Sequence, residues 1–163
     1  MVDLPGLLFV GAACFLLGLV LVDVFWDIRA VGPEPYTEET ADAITAFYTN
    51  NIVGTRRRAP YLIALMPAAF LMIVGALGYK CVHGIAAGDY HAVVASAASM
   101  VILFPLIGLA AASTFPTIGA LITQGRALPL DARHRMHRRL FMQHVLYLVL
   151  TAAAIVAHVA LST

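Results

Sequence analysis

Charged side chains are scarce in this chain. Of its 163 residues, ten are Lys or Arg and nine are Asp or Glu, leaving a net charge of +1. A soluble domain is about a quarter charged, roughly twice the 12% found here. Nucleic acid is not an expected partner, since nothing supports it beyond basic loops that the arrangement of the apolar runs explains. The chain also lacks a Walker loop and the GxGxxG, GxSxG and HExxH patterns, which leaves no support for the usual phosphate cradle, dinucleotide site, hydrolase elbow or zincin helix. Cysteine is nearly absent. Cys14 and Cys81 are the only two, and no CxxC occurs, so neither a redox pair nor a structural zinc site is indicated. Their expected depths differ by about ten residues, or roughly 15 Å along a helix. A disulfide, which needs Cα atoms within about 7 Å, is therefore excluded.

What fills the chain instead is hydrocarbon. Apolar residues make up 61% of it, and the mean hydropathy is +0.88. They are concentrated in Leu4–Val22, Pro60–Tyr79, Ala92–Ser113 and Leu140–Ser162, which contain no Asp, Glu, Lys or Arg. Each is near the ~20 residues a helix needs to cross a ~30 Å hydrocarbon layer. The expected fold is all-α: a single integral-membrane domain over residues 1–163, with four transmembrane helices at about 4–26, 59–82, 92–115 and 139–161. The first run lacks a positive n-region and reads as a retained helix rather than a cleaved signal. Between the first two spans, Thr37 is a good N-cap, Glu38 and Glu39 suit a helix start, and Ala41, Ile44 and Tyr48 follow helical spacing. A short amphipathic helix over about 37–53 is expected there. Pro105 should kink the third span, and Pro116 should end or break it. Ala95 with Ser99, Gly108 with Ala112, and Gly11 and Gly18 suit close helix packing, as does the Ala152–Ala154 run.

Nine of the ten basic residues fall in the first and third connections; Lys80 alone lies near the second. The positive-inside rule then puts loops one and three in the cytoplasm and both termini on the other side. The bilayer is the expected partner, with a homo-oligomer or a larger membrane complex as further options.

Three polar groups could carry chemistry. Asp23 and Asp27 are spaced i, i+4 near the inner end of the first span, with Trp26 between them. Carboxylates so close repel unless a proton or cation is near. They are either a proton-handling or metal-binding pair, or a helix exit at which Asp27 is solvated and Asp23 meets an Arg or His of the third loop. The second group lies in DARHRMHRRLFMQH, where His134, His137 and His144 fall at i, i+3 and i+10. These imidazoles could ligate iron, copper or zinc with a carboxylate from another helix. Alternatively, the segment is a basic strip holding anionic headgroups. The third group is Cys81, His83, Asp89, His91 and His158 at the outer end. Paired haems need ligands from a second helix, and helices two and three offer only methionines in their interiors, so haem is not the expected cofactor. A single haem or metal on His158 with His83 or His91 stands beside a plain surface cluster. A metal ion is the one cofactor left open.

In TFPTIGALITQG, Pro116 and Leu121 keep a P-x-x-x-A-L arrangement, followed by a basic stretch leading into the last span. With the long first connection and its short helix, the chain resembles the small four-helix membrane proteins related to anthrone oxygenases. That resemblance implies an oxygenase-like activity on a hydrophobic substrate. From the residues together with that resemblance, two functions are expected. One is a membrane enzyme, oxygenase-like or acid–base, working at the cytoplasmic interface with Asp23, Asp27, His137 and His144 as catalytic groups and Arg56, Arg57 and Arg58 as an anion or lipid clamp. The other is a non-catalytic accessory or scaffold subunit of a larger membrane complex.

Overall fold

The computed structural model describes residues 3–58 and 60–162, with the side chains of 57–63 outside the description. The described residues are helical apart from short turns and the 31–37 connection, and they include no strand. The α-helices are α1 (Leu4–Asp27), α2 (Glu38–Thr49), α3 (Thr55–Arg58), α4 (Pro60–Ala87), α5 (Tyr90–Leu109), α6 (Phe115–Gln124) and α7 (Leu130–Leu161). Four stretches are long and apolar enough to cross a membrane: Leu4–Ala30, Ala64–Ala87, Tyr90–Ala127 and Leu130–Leu161.

The four long helices form a ring in the order α1, α4, α5, α7, each packed against its two neighbours. Phe9, Ala13, Ile73, Leu77, Leu103 and Ala154 lie in its core. Leu71, Val101, Val149 and Val156 face outward and are well exposed, as expected of a surface that meets hydrocarbon rather than water. Among the small residues, Ala95 and Ser99 are fully buried between helices. Gly11, Gly18, Gly108 and Ala112 instead lie on the exposed surface, and the three glycines have open space where a Cβ would be. Alanines 12 and 13 form the close-packed face of α1.

The turn between α4 and α5 is tight. Gly88 has φ of 71°, and Asp89 donates its backbone N–H back to the Gly84 carbonyl at 2.8 Å, closing the helix in a Schellman-type cap. Asp89 then caps α5 by accepting from Ala92 N at 3.1 Å. Gly84 is needed for close approach: a Cβ there would lie 3.0 Å from Val93 and 3.1 Å from Ala92.

Two helices extend further than their apolar runs. The third span does not end at Pro116; it passes through a wide π turn at Ala110–Thr114 and continues as α6. Pro116 has no N–H to offer the preceding turn, and the change of hydrogen-bond register just before it accommodates that loss. The last helix begins at Leu130 rather than near 139, so the basic segment is itself helical. At 1.5 Å per residue its 32 residues measure about 48 Å, well beyond a ~30 Å hydrocarbon layer. Its first turns, α6 and α2 pack together at one end of the ring. As expected, α2 is capped by Thr37, which accepts from Thr40 N at 3.2 Å.

Candidate functional site

The amphipathic α2 covers the end of α1. Ile44 and Tyr48 turn inward with Ala30, Ile118, Leu121 and Leu140, forming a second apolar cluster apart from the main core. Trp26 stacks on Phe47 at 4.9 Å, and the Arg29 guanidinium lies 4.5 Å over the Trp26 ring. These contacts hold α2 against the last turn of α1, and beneath them lies Asp27.

Asp27 is fully buried. The Tyr48 hydroxyl lies 2.8 and 2.7 Å from its two oxygens, and His144 Nδ1 lies 2.7 Å from Oδ2. A carboxylate can only accept, so Nδ1 carries the hydrogen and Nε2 of a neutral imidazole is left as the acceptor. The nearest carboxylate oxygen to Nε2 is Asp23 Oδ2, at 3.9 Å, too far for a direct hydrogen bond. Asp23 retains 28% of its side-chain exposure, whereas His144 retains 4%. The two aspartates thus bracket one imidazole, Asp27 bonded on the inside and Asp23 open on the outside. Burial raises the pKa of the Tyr48 phenol, and the carboxylates of Asp27 and Asp23 push it further in the same direction. Tyr48 therefore remains a proton donor to Asp27 at any ordinary pH.

A second polar cluster lies next to this point, further into the bundle. The rings of His144 and Tyr147 are 6.0 Å apart. Thr114 donates to Gln143 Oε1 at 3.0 Å and accepts from the Tyr147 hydroxyl. Gln143 Nε2 donates to Ser113 Oγ at 2.6 Å. Ser113 and Thr114 both belong to the π turn, whose wider coil turns two adjacent hydroxyls inward.

The other expected residues lie elsewhere. His134 and His137 join Tyr36 rather than His144. Tyr36 stacks on His134 at 4.3 Å, its hydroxyl is 2.5 Å from His137 Nδ1, and His134 Nε2 donates to the Ala30 carbonyl at 2.8 Å. The metal set of His134, His137 and His144 is not brought together, and no group of three metal-ligating side chains occurs among the described residues. The three share a helix face, but His144 stands seven residues past His137, roughly 10 Å along the axis. No single ion could reach both. Arg133 is buried and pairs with Glu38 and Asp42 of α2, at 2.7 and 2.5 Å. Arg56 is exposed, and the side chains of Arg57 and Arg58 lie outside the described residues. At the opposite end of the bundle, His158 turns inward to Lys80 Nζ at 3.3 Å and Ser99 Oγ at 3.3 Å, while His83 and His91 are exposed. Cys14 and Cys81 are free.

Tyr48, Tyr147, Thr114 and Gln143 were not among the expected site residues. Tyr48 carried a readable signal, because a phenol on the apolar face of an amphipathic helix needs a buried partner. The π turn that gathers Ser113 and Thr114 has no comparable mark in the sequence. Compared with known proteins, the chain matches no family model, no curated protein and no solved structure.

Proposed function

We propose that the protein is a membrane enzyme that moves a proton on a hydrophobic substrate, with His144 as the general base. What carries this reading is the buried Asp27–His144 hydrogen bond, which fixes the imidazole's tautomer and directs Nε2 toward Asp23. Asp27 orients the ring and stabilises the imidazolium that forms when Nε2 takes a proton, the role a buried carboxylate plays behind a catalytic histidine. Tyr48 holds Asp27 in place. A substrate oxygen at hydrogen-bond distance, about 2.8 Å, from both Nε2 and Asp23 would subtend an angle of roughly 90° between them. That geometry suits one hydroxyl or enolisable carbonyl shared by the pair. The substrate class is therefore an apolar phenol or ketone reaching the site from the bilayer. An oxygenase-like reaction would begin with the same deprotonation.

The test is deuterium exchange at the acidic position of such compounds, followed by NMR with purified protein in lipid vesicles. His144→Gln should abolish exchange, and Asp27→Asn should slow it by about 10²- to 10⁴-fold. Exchange at the wild-type rate in both variants would overturn the proposal.

A second reading rests on the same burial. His144 is only 3% exposed, and each polar atom of Asp27 already has a partner, an arrangement that would also serve as a purely structural clip in an accessory subunit. This reading predicts that Asp27→Asn lowers stability in detergent and that the wild type catalyses no exchange.

A further inference from the structure

The basic segment sorts its cations by helix face. At 100° per residue, Arg135, Arg139, Met142, Leu146 and Val149 fall on one stripe of α7, roughly opposite Arg133, His137 and His144. Arg133 and the histidines are turned into the protein, while Arg135, Arg138 and Arg139 are exposed. Arg135 bonds Asp131 on its own helix at 2.7 Å. Among the described residues, neither Arg138 nor Arg139 has an ion-pair partner.

Below these guanidinium groups runs a shallow, open groove along the outer face of α7, its apolar surface formed by Met142, Val145, Leu146 and Val149. Met142 is 60% exposed and Val149 57%. From Arg139 to Val149 the wall descends roughly 15 Å at 1.5 Å per residue, about half of a ~30 Å hydrocarbon layer. Two unpaired cations at the mouth and an apolar floor one leaflet deep match the layout of an anionic phospholipid. Gln143 also lines the groove, and its amide is fixed by Ser113 and Thr114, so this wall is held rigid from inside.

We infer that the groove binds one anionic phospholipid, its phosphate between Arg138 and Arg139 and an acyl chain along Met142, Leu146 and Val149. Native mass spectrometry of protein released from nanodiscs of equal dioleoylphosphatidylglycerol and dioleoylphosphatidylcholine tests this directly. One phosphatidylglycerol should be retained preferentially, by about fivefold for each engaged arginine. Arg138→Gln with Arg139→Gln should reduce retention to parity with phosphatidylcholine, and Arg126→Gln, at an exposed position outside α7, should leave it unchanged. Val149→Trp, which fills the floor without altering charge, should also reduce it and provides the test if the double variant does not fold. No preference in the wild type would overturn the site, as would equal losses in the Arg126 variant or full retention in Val149→Trp.

Discussion

Asp23 and Asp27 are the same side chain one turn apart on one helix, and only their surroundings differ. One sequence reading made both a working pair; the other gave the deeper Asp23 to an Arg or His of the third loop and left Asp27 solvated. Depth along a helix is not burial within a fold, however, and it is α2 folding back over the end of α1 that encloses Asp27. The i, i+4 pair and His144 were legible as chemistry, but the choice between the two carboxylates depended on a tertiary contact. Removing the hydroxyl in Tyr48→Phe leaves that buried carboxylate one donor short and should cost about 1–3 kcal/mol, read from denaturation in detergent. Tyr36 offers a pH test. Burial pushes its phenol from 10.0 up to about 12. Because the folded value lies above the unfolded one, its contribution to stability is complete below pH 10 and is lost as pH rises toward about 12. Phenolate absorbance assigned by difference from Tyr36→Phe should therefore develop near the top of that window rather than at its start.

At the scale of elements, α2 and the Lys80 cluster act as fasteners at opposite ends. Lys80 Nζ bonds Asp3 Oδ2, His158 Nε2 and Ser162 Oγ, tying the end of α4 to the start of α1 and the end of α7. Burial works to raise the Asp3 pKa, yet the Lys80 ammonium and the Gly6 amide together hold it below the ordinary carboxylate range. Lys80→Ala leaves these partners unmatched and should cost about 1–3 kcal/mol, less than a fully buried pair would, because Asp3 is half exposed. At the other end, Thr37→Ala removes the α2 cap and should cost about 1 kcal/mol, seen as faster amide exchange confined to α2. The existence of α2 and its N-cap were readable from Thr37-Glu38-Glu39 and the apolar spacing behind them. The ends of α4, α5 and α7 were not, because charge marks where a helix leaves hydrocarbon and not where its hydrogen bonding stops.

On the scale of the whole molecule, the ring brings the start of α1, the end of α7 and the α4–α5 turn to one end, with α2 and α6 at the other. This follows from the Lys80 contacts with Asp3 and Ser162 and the packing of α2 on α6 and α7. In a background with Cys14 and Cys81 replaced, cysteines at the exposed positions His91 and Arg126 should react with a membrane-impermeant maleimide from opposite faces of sealed vesicles. Labelling of both from one face would refute the four-span arrangement. Four long apolar helices were legible because each uncharged run matches the thickness of a bilayer; which small residues face inward was not, since apolar side chains cover these helices on every side. The Asp27–His144 bond joins residues 117 apart, one in the first span and one in the last. A chain emerging from the ribosome with three spans inserted carries Asp27 without its imidazole partner, since that partner has yet to be synthesised. The arrival of α7 is therefore the step that gives Asp27 its imidazole, and a chain truncated before Leu130 should be degraded rather than accumulate as a three-helix product.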